Sequence, residues 1–228
     1  MAPHHPPAER LAEPRVDALA WPSVWLRWTL IGSAGLGTLN AGSVLLEHYQ
    51  AQAHDVRQEG MPLLVMGTIL FFLFLAWLQQ LILCSAGLQA RFWTVTTAVG
   101  LVIGGVLGTV AGQIAFNVAA WFDFSLFPCL NISVCSGAFI WGTVLGAIQF
   151  SGVGGSRQHV FWIASSGLAM LSMAVCLVFL SNRWHNPNSI LAVTLCGGCY
   201  GLVSGGGVVC LLWRNEQRRR RELLGGSE

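Results

Sequence analysis

Gln79, Gln80, Gln113, Asn117 and Gln149 are amides within or near long apolar segments. An amide carries two donors and an acceptor, so in hydrocarbon it must find a partner. A neighbouring helix supplies one in a hydrogen bond worth about 1 kcal/mol. The other use is a polar lining for a ligand or ion, with Gln80, Gln113, Asn117 and Gln149 as the lining of a permeation path. Glu47-His48 and His54-Asp55 share one segment and offer donors of the type that hold a divalent metal. A solvated loop accounts for them better, so no metal ligand is assigned. Ser165 and Ser166 lack the histidine and carboxylate that activate a serine nucleophile.

Other chemistry is missing from the apolar segments. No ionisable side chain lies deep in any of them, as proton relays and voltage sensors require. They contain no histidine for a haem iron, and the chain has neither a phosphate-binding glycine loop nor a zinc motif. The expectation is therefore no catalytic residue, no cofactor and no enzyme activity.

The seven cysteines divide by place. Cys84, Cys176, Cys196, Cys199 and Cys210 fall in or at the ends of apolar segments, where cysteine acts as a small apolar residue. Cys129 and Cys135 flank an expected outer loop, where an oxidising exterior permits a disulfide.

The elements that hold these residues follow from hydropathy. The 228 residues are 54% hydrophobic and 10% charged, against about 25% charged in a soluble domain. A helix needs roughly 20 apolar residues to cross a bilayer. Six stretches qualify: Trp28–Leu46, Pro62–Cys84, Phe92–Val118, Val134–Phe150 (with a start as early as Leu126 allowed), Val160–Leu180 and Ile190–Trp213. The expected fold is all-α, a polytopic transmembrane bundle of about six spans. Residues 1–20 are a Pro-rich disordered tail, 21–213 the membrane domain and 214–228 a basic tail.

All twelve basic residues are arginines. With the N-terminus in the cytoplasm, ten lie inside (Arg10, Arg15, Arg27, Arg91, Arg157, Arg214 and Arg218–Arg221) and two outside (Arg57 and Arg183). That asymmetry predicts both termini in the cytoplasm of a cell membrane. Trp21, Trp25, Trp28, Trp93, Trp121, Trp162, Trp184 and Trp213 fall near span ends and read as headgroup-level anchors. Arg214, Arg218, Arg219, Arg220 and Arg221 are placed to meet anionic headgroups, at roughly 1 kcal/mol each. The expected partners are the lipid bilayer and a second copy or another membrane subunit. The arginine run is too short and too close to the membrane for nucleic acid.

Glycines recur every four residues at Gly100, Gly104, Gly108 and Gly112, at Gly142 and Gly146, and at Gly197, Gly201 and Gly205. Positions four apart share a helix face, and glycine there lets backbones approach closely in lipid. Such stripes serve packing within one bundle or association between copies.

Two blocks repeat. Gln80 is followed after twelve residues by Phe92-Trp93, and Gln149 after twelve by Phe161-Trp162, an offset of 69 at both landmarks. Val24-Trp25 stands as a third aromatic pair, offset by 68, and Gly201–Trp213 echoes the end of a third block without its glutamine. The pattern implies three parallel helical hairpins. It resembles uncharacterised bacterial multi-pass membrane proteins whose Gly-rich hairpins carry a glutamine, a short turn and an aromatic-Trp pair. That resemblance covers mainly Ala76–Gly100 and Gly142–Gly167 and implies no activity. The expected role is a non-enzymatic structural, assembly or interaction subunit; a small-molecule transporter or channel is the alternative.

Overall fold

The computed structural model describes residues 21–35, 60–86, 88, 90–151, 159–183 and 190–225. Among them every regular element is a helix. The elements are α1 (21–35), α2 (Gly60–Ser85), α3 (Trp93–Trp121), α4 (Leu126–Ser151), α5 (His159–Arg183) and α6 (Ile190–Gly225). Four stretches are long and apolar enough to cross a membrane: Trp93–Trp121, Leu126–Ser151, Val160–Leu180 and Thr194–Arg214. The rest of the first expected span lies outside the described residues, as do residues 1–20 and the histidine-carboxylate segment.

The distribution of side chains on α3 is that of a protein in lipid. Between Trp93 and Thr97 at its start and Ala119 near its end, its buried residues are Gly100, Gly104, Gly108 and Gly112. Val102, Val106, Val110, Ile114 and Val118 are all at least half exposed. Small residues inside and branched aliphatics outside reverse the soluble pattern, in which the large apolar groups face the core. Without a hydrophobic force between helices, close backbone approach supplies the packing. This is a membrane protein with an all-α helical bundle.

The glycine positions meet neighbours within the chain. A Cβ on Gly104 would stand 2.9 Å from the Trp141 carbonyl oxygen, on Gly108 2.6 Å from that of Gly137, and on Gly112 2.9 Å from that of Ser133. Gly100 faces Leu145, so all four lie against α4. Gly142 and Gly146 face Ser166 on α5. Gly201 lies against Thr29 and Gly205 against Trp25 and Trp28, while the Gly197 carbonyl lies beside Gly32, all on α1. Consecutive helices thus pack on one another, and α6 returns to α1.

Two connections are set by particular residues. α3 begins with no side-chain cap of its own. Gln80 of α2 supplies it: its Oε1 accepts from the Thr94 N–H (3.2 Å) and hydroxyl (2.7 Å), and its Nε2 donates to the Arg91 carbonyl (3.3 Å). Free N–H groups at a helix start need such acceptors. Between α3 and α4, Asp123 adopts φ 55°, a left-handed conformation that aspartate tolerates better than most residues.

Three expectations change. α4 begins at Leu126, so Cys129 and Cys135 lie on one helix. Six residues along a helix is about 9 Å of rise, beyond the roughly 7 Å limit for a disulfide. Both thiols are free, and the Cys129 Sγ donates to the Phe124 carbonyl at 3.4 Å. Second, the last apolar stretch ends at Arg214, one residue from the expected Trp213, but the helix that carries it runs on through the basic tail, 36 residues in all to Gly225, because the arginines, glutamates and leucines there are good helix formers. Third, three of the expected headgroup anchors are core residues, as described next.

Candidate functional site

Trp28, Trp93 and Trp162 come from α1, α3 and α5 and are 1%, 2% and 2% exposed. They meet edge to face, with ring centroids 5.9 Å apart for Trp28 and Trp93, 6.1 Å for Trp28 and Trp162, and 5.3 Å for Trp93 and Trp162. This geometry sets the positive edge of one ring on the negative face of another. Ile82, Leu83, Phe150, Val208 and Leu211 close around them, so all six helices contribute to one apolar plug. Trp25, which the sequence pattern paired with Trp93 and Trp162, is instead 36% exposed and donates to the Leu202 carbonyl at 3.2 Å. Trp121 (92% exposed) and Trp213 (49%) remain at the surface.

The three indoles differ in their N–H partners. Trp28 Nε1 donates to Ser204 Oγ at 3.0 Å, and Trp93 Nε1 to Gln79 Oε1 at 3.4 Å. Trp162 Nε1 is buried with no acceptor among the described residues.

One to three helical turns beyond the plug, a cavity of about 270 Å³ opens between the helices. Its wall is largely apolar, with Phe72, Leu101, Leu145, Met170 and Met173 among its residues, and Trp141 and Tyr200 add aromatic surface. Nearest the plug it is polar, lined by Gln79, Thr97 and Gln149. All three are buried, at 8%, 6% and 3% exposed. Gln149 Nε2 donates to Thr97 Oγ1 at 3.0 Å. The Trp93 indole is a donor alone, which fixes the Gln79 oxygen toward it and turns the Gln79 Nε2 away. Among the described residues neither Gln79 Nε2 nor Gln149 Oε1 has a hydrogen-bond partner.

Of the four residues expected to line a path, the structure brings one, Gln149, to the cavity. Gln80 caps α3. Gln113 and Asn117 lie on the exposed side of α3, where the first donates to the second at 3.5 Å. Gln79 replaces them, with Thr97 and Tyr200, which the sequence did not single out. The signal that could have found Thr97 is its place one turn after Trp93, on the same face of α3.

At the far end of α6, the Arg214 guanidinium stacks 3.8 Å over the Phe161 ring, and Trp213, Arg214, Gln217 and Arg221 line a shallow groove. The side chains of Arg218, Arg219 and Arg220 lie outside the described residues. Among the described residues no cluster of histidine, cysteine and carboxylate side chains is suited to a metal ion.

No protein-family model, curated protein or solved structure matches this chain.

Proposed function

We propose that this membrane protein is a non-enzymatic carrier that holds a small molecule between its helices, the alternative the sequence left beside an assembly subunit. One observation carries the reading: a largely apolar cavity whose polar end presents two buried amides with unused hydrogen-bonding groups. Binding sites for small molecules have this composition, mostly apolar with a few fixed polar groups. The assembly reading relied mainly on the lack of visible chemistry in a bundle packed by glycine stripes; the stripes do meet neighbouring helices of the same chain, and the cavity offers the binding groups that reading lacked. The arginine asymmetry favours both termini in the cytoplasm, which puts the tryptophan plug at the cytoplasmic end. The hairpins read best as three parallel repeats in which Trp28, rather than Trp25, corresponds to Trp93 and Trp162.

The test is native mass spectrometry of the full chain in a mild detergent, with Ala76→Phe as the variant. Ala76 lines the cavity and is 2% exposed, so the larger side chain fills the space. A small molecule retained by the wild type and lost from the folded variant supports the carrier. A stoichiometric protein partner, with no small molecule in either form, returns the reading to an assembly subunit.

A further inference from the structure

The two amides at the polar end of the cavity are held one helical turn apart. Gln79 is tied to Trp93 and Gln149 to Thr97, and these two partners are four residues apart on α3. Residues so spaced are about 6 Å apart along one helix face. The ends left over are unlike: Gln79 offers an N–H donor and Gln149 a carbonyl acceptor. A polar group that faces an apolar cavity without a partner is costly, and among the described residues the lining holds no charged side chain to change that balance.

We propose that the cavity binds a neutral molecule bearing a carboxamide or lactam, whose carbonyl accepts from Gln79 Nε2 and whose N–H donates to Gln149 Oε1. This rests on the carrier reading above. An amide presents its own acceptor and donor side by side, and with one hydrogen bond at each end it bridges two groups about one turn apart. A carboxylate offers acceptors alone and would leave the Gln149 oxygen facing negative charge. An ammonium offers donors alone and would leave the Gln79 N–H unmatched. Both ions would also lose their hydration in a cavity with no counter-charge. The apolar remainder of the space sets the size. A cavity near 150 Å³ admits benzene, so one of about 270 Å³ admits roughly ten non-hydrogen atoms. The aromatic and methionine wall, including Phe72, Trp141 and Met173, suits a flat ring.

The experiment uses the full chain in lipid nanodiscs and three probes that share one fluorinated ring: 4-fluorobenzamide, 4-fluorobenzoate and 4-fluorotoluene. Binding is followed by fluorine NMR against empty nanodiscs. The expected result is saturable binding of the amide, roughly tenfold tighter than that of the toluene, and none of the benzoate. Gln149→Met, close in length, should remove the amide's advantage and leave toluene binding unchanged. Thr97→Val is the second variant if Gln149→Met does not fold, and it should weaken the amide selectively by releasing Gln149. Equal binding of amide and toluene overturns the amide assignment while the carrier reading stands. Saturable binding of benzoate overturns the neutral-ligand assignment. No saturable binding by any probe, in protein that also retains no small molecule on purification, overturns both.

Discussion

Gly108→Ala tests whether backbone proximity is what holds α3 to α4. The added methyl would stand 2.6 Å from the Gly137 carbonyl oxygen and 2.9 Å from Trp141 Cβ. Neither atom is the far end of a flexible side chain, so neither can swing aside, and the helices themselves must part. Restoring ordinary contact needs a shift on the order of 0.5–1 Å, which forfeits a quarter to a half of each dispersion contact along the seam. Overpacking of this type costs about 1–3 kcal/mol. Alanine's better helix propensity returns less than about 1 kcal/mol of that. The control is Gly67→Ala on α2, where a Cβ meets nothing within 4 Å. There the propensity gain acts alone, and stability should stay level or rise slightly. The assay is unfolding of purified protein in mixed micelles with increasing sodium dodecyl sulfate, followed by tryptophan fluorescence. Gly108→Ala should unfold at clearly lower denaturant than wild type, and Gly67→Ala at the same or higher. If the two variants behave alike, close approach at Gly108 is not what stabilises the pair.

The same assay distinguishes two of the buried tryptophans: Trp28→Phe removes the 3.0 Å bond to Ser204 and should cost about 1 kcal/mol more than Trp162→Phe, which removes an N–H that has no acceptor among the described residues. Gln80→Leu deletes the acceptor for the Thr94 N–H and hydroxyl and should destabilise by about 1–2 kcal/mol, as loss of an N-cap does. It should also speed amide hydrogen exchange in the first turn of α3; unchanged exchange there would argue against the cap. At Asp123, φ 55° predicts that Asp123→Gly is neutral or stabilising, and that Asp123→Val costs about 1–2 kcal/mol. Intact mass of the alkylated protein without reductant should show Cys129 and Cys135 both modified once the protein is denatured.

Hydropathy is a sum over many residues, and it located four of the spans to within a few positions. α5 was expected at Val160–Leu180 and runs His159–Arg183. Helix ends outside lipid were less legible. Arg218–Arg221 read as a tail because charge marks the membrane boundary, yet charge does not stop a helix. α4 began early because Pro128 sits in its first turn, where a missing N–H costs little. The tryptophans show a different limit. Trp28 and Trp25 are equally suited to an interface by composition, and they are three residues apart, so helix rotation alone decides which faces inward. The amides followed the same rule. Gln79 and Gln80 are adjacent letters on faces about 100° apart: one reaches the cavity and the other caps a neighbouring helix. Which of two neighbours points inward depends on partners from other helices, and a single sequence does not name them.

The length of α6 magnifies any tilt at the cavity into a larger displacement at the protein's edge. Tyr200 lines the cavity, and the same unbroken helix continues to Gly225, about 38 Å further along its axis. A rigid rod of that length is a lever. A tilt of about 5° at Tyr200, small enough to pass as side-chain adjustment, displaces the far end by about 3 Å. Were filling the cavity to tilt the helix, a spin label or fluorophore beyond the membrane would report occupancy of a space it never touches.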